Sequence, residues 1–168
     1  VFIPAYGMQT EKFFDLTGSL TYISVTVLAV ILSPTVDDRS VLLLTVVVIW
    51  ATRLGTFLFM RIIKAGKDAR FDELKPSFFR FLNTWTLQGL WVTFTLAAAM
   101  AAITTAPRRP LGLFALVGFL IWAFGFAIEV LADAQKSRFK ADPTNKGQFI
   151  HTGLWSWSRH PNYFGEIV

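Results

Sequence analysis

Phe81-Leu-Asn-Thr-Trp-Thr-Leu-Gln-Gly-Leu-Trp-Val-Thr-Phe-Thr-Leu-Ala-Ala-Ala-Met-Ala-Ala-Ile-Thr-Thr-Ala-Pro107 runs for 27 residues without a charged side chain. About 20 mainly apolar residues suffice to cross the hydrocarbon core of a bilayer. Three further stretches share the property: Leu16–Val36 has no charge, Ser40–Met60 has only Arg53, and Pro110–Ala132 has only Glu129. No water reaches the core to satisfy exposed peptide groups, so each span must close its own hydrogen bonds as a helix. The β-branched run Leu42–Ile49 has the composition of a strand, but the length of the apolar stretch decides for helix. The expected fold is an all-α polytopic membrane helix bundle with at least four transmembrane helices.

Composition agrees. Of 168 residues, 54% are hydrophobic and 16% charged, with 17 Phe and 6 Trp, a balance of the membrane class. Cysteine is absent, which removes disulfides, thiolate nucleophiles and sulfur-ligated metals. His151 and His160 are the only histidines; neither their number nor their spacing suits a metal, and none is expected. The net charge of +5 is concentrated in two connections, which fits membrane topology rather than nucleic acid. No internal repeat or linker stands out, so residues 1–168 read as a single domain. The start at Val1 and the end inside a motif lead us to expect a fragment truncated at both ends.

The connections alternate in charge. Arg61–Arg80 holds six Lys/Arg and the tail after Ala132 holds five, whereas the other two connections hold only Arg39, Arg108 and Arg109. The bias places the basic connection and the tail in the cytoplasm. With Phe71, Phe78, Phe79 and Phe81, the Arg61–Arg80 connection has the composition of a segment lying along anionic headgroups. Trp50, Trp85, Trp91 and Trp122 read as interfacial or packing aromatics, and the Ala97–Ala102 run as a close helix contact.

Two charges lie inside spans. Arg53 either snorkels towards headgroups or forms an internal ion pair, for which Glu129 is the natural partner. Glu129, Asp133, Lys136 and Lys140 follow one another at four, three and four residues, so they share one helix face. At Lys140 this is expected to be only a solvated helix end.

The tail beyond Phe139 changes character. Asp142-Pro143, Asn145-Lys-Gly147 and Thr152-Gly153 are turn signals. Pro161 favours extended backbone at His160, so Ser158–Glu166 is expected to enter a further helix, with Asn162 a possible cap. Arg159 offers a planar donor fork suited to phosphate, and Lys136, Arg138 and Lys146 stand to add charge. Asn145 and Asn162 suit an amide or ribose; Tyr163, Trp155 and Trp157 offer stacking faces. This inventory fits a phosphorylated dinucleotide, an adenosyl cofactor or a lipid headgroup. No Gly-x-Gly-x-x-Gly follows a strand and no P-loop is present, so a nucleotide here is held outside a Rossmann framework.

Asp15-Leu-Thr-Gly-Ser-Leu20, Trp50-x-x-Arg53-Leu-Gly55, Glu129-x-x-x-Asp133-x-Gln135-Lys136 and Asn145-Lys-Gly-x-Phe-Ile-x-Thr-Gly-Leu-Trp155 through Ser158-Arg-His-Pro-Asn-Tyr-Phe-Gly-Glu166 together span nearly the whole chain. They resemble the bacterial branch of the steroid 5α-reductase-like (3-oxo-5-alpha-steroid 4-dehydrogenase C-terminal domain) membrane proteins. Arg-His-Pro is shared with membrane methyltransferases of the isoprenylcysteine and phospholipid type; the Asp-x-Gln-Lys and Asn-Tyr-Phe-Gly-Glu elements belong more specifically to the reductase-like branch.

The resemblance implies an NADPH-dependent reductase of a C=C bond in a lipid or steroid-like substrate, with the cofactor at the cytoplasmic helix ends. Asp133, Lys136, Asn145, Arg159, His160, Asn162, Tyr163 and Glu166 become the cofactor-binding candidates. Tyr163 is the candidate proton donor and Glu129 the alternative. The expected partners are the hydrophobic substrate and membrane lipids. The family's pattern continues beyond Val168, so residues 1–168 alone are expected to lack a wall of the pocket and to be inactive. The substrate-binding Glu–Tyr arrangement of the steroid enzymes has no clear match near the N-terminus. The rival reading is an S-adenosylmethionine-dependent membrane lipid methyltransferase; a second rival is a non-enzymatic tail that binds headgroups.

Overall fold

The computed structural model describes residues 1–105 and 110–168; the Arg108-Arg109 pair lies outside them. Among the described residues the regular structure is wholly helical: α1 (Phe2–Gly7), α2 (Phe14–Leu32), α3 (Asp38–Ala65), α4 (Phe78–Thr104), α5 (Leu113–Ala141) and α6 (Pro161–Ile167). Short 3-10 turns occupy Ala69–Phe71, Pro143–Asn145 and Gly153–Ser156. Helices α2 to α5 are each long and apolar enough to cross a membrane.

The helix ends depart from the apolar runs for local reasons. Helix α2 stops at Leu32, short of Val36, because Ser33 precedes Pro34 and is extended (ψ 136°). The Asp37 carboxylate caps α3 by accepting from the Ser40 amide at 2.8 Å. Gly66, at φ 81°, ends α3 past the last apolar turn. Helix α5 runs on beyond Ala132 to Ala141 and ends where Asp142 precedes Pro143. That extension keeps Glu129, Asp133 and Lys136 on one continuous helix.

Two compact units, Val1–Pro110 and Leu111–Val168, make up the chain. In the first, α2 packs on both α3 and α4. Tyr22, Ala51, Val92 and Leu96 form its core, with Trp50 edge-on to Tyr22 at 5.0 Å. Small residues set the spacing: a β-carbon at Gly55 would collide with Ser19 Oγ, and one at Gly18 would lie 2.6 Å from Gln88 Nε2. Gln88 Nε2 also donates to the Phe14 carbonyl at 3.0 Å. The Arg53 guanidinium lies 5.1 Å over the Phe57 ring on its own helix.

The N-terminal segment folds onto the α3–α4 connection. Glu11 is buried; its Oε1 accepts from the Asp68 amide at 2.7 Å and its Oε2 from Lys75 Nζ at 2.6 Å. Beside this strap, Ala5, Phe71 and Phe81 form a second core packed against Phe2, Tyr6, Phe14, Leu74 and Trp85. Phe71 and Phe81 therefore do not face headgroups as their composition predicts. The N-terminal segment covers them, and only Phe78 and Phe79 remain exposed.

Candidate functional site

The candidate residues all belong to the second unit, where the tail returns along α5. Its anchor is one turn of that helix. Gly153, at φ 62°, turns the chain; a β-carbon there would strike the Gln135 side chain at 2.7 Å. The next amide, Leu154 N–H, donates to Gln135 Oε1 at 3.0 Å. Trp155 then buries its ring, and its indole Nε1–H donates to the Ala132 carbonyl at 3.0 Å. Lys136 Nζ sits 4.5 Å from the centroid of the same ring. A cation–π contact of this kind is worth about 0.5–2 kcal/mol, depending on desolvation.

Helix α6 is held by a different device. Pro161 occupies its first turn, where no amide donor is missed, and His160 precedes it. Asn162 is thus the second helical residue and not the cap; proline at the first position moves the cap to His160, whose side chain makes no capping bond. Gly165 meets Gly125 and the Glu129 backbone so closely that a β-carbon on it would lie 2.5 Å from the Gly125 carbonyl oxygen and 2.6 Å from Glu129 N. Two missing side chains thus let α6 rest directly on the backbone of α5.

The candidates separate into two groups. Glu129 and Asp133 are buried, at 2% and 5% exposure, on the α5 face that meets the tail. Lys136 is half-buried beside Trp155, and Lys140 is exposed, the solvated end its position predicts. Arg159, His160, Tyr163 and Glu166 are exposed. The His160 and Tyr163 rings stack at 5.2 Å with 16° between planes, and the His160 amide donates to Ser158 Oγ at 3.1 Å. Asn162 is half-buried, and its Oδ1 is buried with no hydrogen-bond partner among the described residues. Asn145 lies at the end of α5, where its Nδ2 donates to the Phe139 carbonyl at 3.0 Å. That amide donor secures the helix end.

Two stacking candidates fare differently from expectation. Trp155 is a packing residue with its donor used, whereas Trp157 is 88% exposed. Beyond the spans, Asp142 accepts from the Thr144 amide and hydroxyl at 2.9 and 2.7 Å, which hold its carboxyl below the ordinary value. Gln135 and Gly125 do not figure among the sequence-derived candidates, yet they position the whole tail. The only signal in the sequence was Gln135 within Asp-x-Gln-Lys; Gly125 in an apolar span carries none.

The arrangement offers an exposed guanidinium fork, an exposed phenol stacked on an imidazole, and a buried amide oxygen that can accept a ligand's donor. Buried carboxylates line the helix behind them. Chemically, such a set can bind a polar ligand with at least one anionic group. The family described as Protein of unknown function (DUF1295) matches residues 1–168, and the chain belongs to it. Among curated proteins, the probable O-methyltransferase ustE of Ustilaginoidea virens is 32% identical over 121 residues, covering 63% of this chain and 41% of that protein. The Delta(14)-sterol reductase TM7SF2 of Mus musculus is 30% identical over 92 residues, covering 46% of this chain and 22% of that protein. The chain thus spans less than half the length of either relative. No solved structure matches it.

Proposed function

We propose that this DUF1295 member is the cofactor-binding part of a membrane-embedded, NADPH-dependent reductase that saturates a C=C bond in a lipid or steroid-like substrate, of the steroid 5α-reductase-like kind. The observation that carries the reading is the packing of residues 153–156 and of α6 on α5, within the one compact unit to which Asp133, Lys136, Arg159, Asn162 and Tyr163 belong. The likeness to a sterol reductase supports it, as do the Asp-x-Gln-Lys and Asn-Tyr-Phe-Gly-Glu elements. The K/R bias of the connections supports a cytoplasmic position for the tail.

The donor set suits a phosphorylated dinucleotide. Arg159 would bind a phosphate through its fork, with Lys136 adding charge. The buried Asn162 Oδ1 would accept a hydrogen bond from an amide or ribose hydroxyl. NADPH, when bound, supplies the hydride. The protein's part is to orient the substrate, exclude water and deliver a proton to the second carbon. Tyr163 is the proton donor of this reading: the residue is exposed on α6, and its ring is steadied by His160. Glu129 is the alternative, buried on α5 where its backbone meets Gly165.

A second reading, an S-adenosylmethionine-dependent lipid methyltransferase, is favoured by the likeness to a probable O-methyltransferase, which covers more of this chain. It uses the same exposed groups for an adenosyl cofactor. Thermal unfolding of the full-length protein in detergent separates the two. Stabilisation by NADPH and not by S-adenosylmethionine is expected; the reverse pattern overturns the reductase reading.

A further inference from the structure

The unit Val1–Pro110 carries a feature that cofactor chemistry does not use. Where α2 and α4 begin and α3 ends, α1 and the α3–α4 connection are joined by the Glu11 strap and by stacked aromatics. Phe2 and Tyr6 meet Phe78 edge-on at 5.4 and 5.2 Å, and Phe78 meets Phe79 at 5.6 Å. At and beside this stack, large apolar side chains stay uncovered: Ile3 is 78% exposed, Met8 71% and Phe79 80%. They stand at the ends of membrane-length helices, the level at which apolar and aromatic side chains insert between headgroups.

The charges at this end sort themselves. Most acids at this end are taken up internally: Asp72 pairs with Lys67, Asp68 with Arg70, and Glu11 of the N-terminal segment with Lys75; Glu73 is exposed and offsets one cation. Arg61 lies near the half-buried Asp15. Lys12, Lys64 and Arg80 are exposed and form no ion pair among the described residues. Internal pairing therefore leaves an outward surplus of cations beside uncovered apolar groups. A zwitterionic headgroup gains little from such a surface, whereas an anionic one gains from both parts.

We propose that α1, the α3–α4 connection and the helix ends beside them form one interfacial platform that selects anionic phospholipid headgroups through Lys12 before α2, Lys64 in the last turn of α3 and Arg80 in the first turn of α4. The platform belongs to the first unit and is independent of what the second unit binds.

Electron paramagnetic resonance of the full chain in phosphatidylcholine bilayers, doped with spin-labelled phosphatidylglycerol or phosphatidylcholine, tests this. The wild type should prefer phosphatidylglycerol, and high salt should weaken the preference. The variant Lys12→Gln/Lys64→Gln/Arg80→Gln should lower it by at least roughly fivefold, the weight of a single cation at an anionic surface. Removing the same charge from the tail, by Arg138→Gln/Lys140→Gln/Lys146→Gln, should cost less. The proposal is overturned by a wild type with no preference, by a platform variant that keeps it, or by a tail variant that loses as much. If the triple variant does not fold, Lys64→Gln alone reads the same effect at smaller amplitude, and an unchanged preference there overturns the proposal as well.

Discussion

The carbonyl oxygen of Gly165 lies where a β-carbon on Gly125 would sit 2.6 Å away, and the Gly125 carbonyl stands 2.5 Å from the corresponding position on Gly165. The approach is reciprocal, and the atoms met include backbone carbonyls and the Glu129 amide, which cannot rotate aside. This contact is what seats Pro161–Ile167 on α5.

Gly165→Ala should separate α6 from α5. Alanine gains about 0.5–1 kcal/mol over glycine in a helix, but overpacking costs about 1–3 kcal/mol, so the net effect is destabilising. Amide exchange over residues 161–167 should quicken, and thermal stability should fall. Gly118→Ala is the control, because a β-carbon there meets nothing within 4 Å; it should be neutral or stabilising. Equal exchange in the two variants would show that α6 is held by something else.

The turn at Gly153 rests on hydrogen bonds to Gln135 and Ala132. Trp155→Phe keeps an aromatic ring over Lys136 but removes the donor to the Ala132 carbonyl, a loss of about 1 kcal/mol. Gln135→Leu removes the acceptor of the Leu154 amide, at a similar cost. Each should speed exchange locally over residues 153–157. A double-mutant cycle with Lys136→Met and Trp155→Leu should give a coupling of about 0.5–1 kcal/mol. A coupling near zero would mean that Lys136 only lies near the ring.

How much of this was legible in the sequence follows from the kind of signal each residue carries. The four long helices were, because uncharged runs of bilayer length have one outcome. So were the turn at Gly147 and the entry at Pro161, because glycine and proline act locally. The shared face of Glu129, Asp133 and Lys136 follows from helical period, and the structure keeps it. What the tail docks against was not legible. Trp155 and Trp157 are equivalent as letters, yet one is core and the other is 88% exposed; only the return of the chain onto Ala132 and Gln135 separates them. Phe71 and Phe81 were misread for the same reason, since the N-terminal segment that covers them is distant in sequence. A glycine such as Gly125 shows its purpose only once its neighbour is known.

The Glu11 strap predicts a pH dependence. Burial alone would raise the Glu11 carboxyl, but the hydrogen bond and charge of Lys75, with the Asp68 amide, outweigh it and hold the group below its ordinary value of 4.5. A carboxyl whose folded value is depressed contributes stability that is fully present above the unfolded value and is lost as pH falls through the folded one. Glu11→Gln should therefore be less stable than the wild type at pH 7, by about 2 kcal/mol for a charge-assisted bond. The gap should close progressively below pH 4.5. A difference in melting temperature that is constant from pH 7 to pH 3 would exclude the ionised strap as its source.

Tyr163 carries the sharpest consequence of the reductase reading. Its ring stacks on His160 at 5.2 Å, and phenylalanine preserves that stack while removing only the hydroxyl. Tyr163→Phe in the full-length protein should therefore keep NADPH affinity, read as thermal stabilisation by the nucleotide, and keep α6 in place, read by exchange over residues 161–167. Turnover should fall by about 10²–10⁴-fold, the usual weight of a positioned proton donor. If turnover survives with affinity intact, the proton comes from elsewhere, and Glu129→Gln becomes the decisive variant because that residue is buried on α5 where its backbone meets Gly165. If affinity is lost as well, the phenol touches the cofactor, and its role is binding instead of proton transfer. Arg159→Ala should behave in the opposite way, weakening nucleotide affinity at least tenfold, since an exposed fork acts on phosphate in ground and transition states alike.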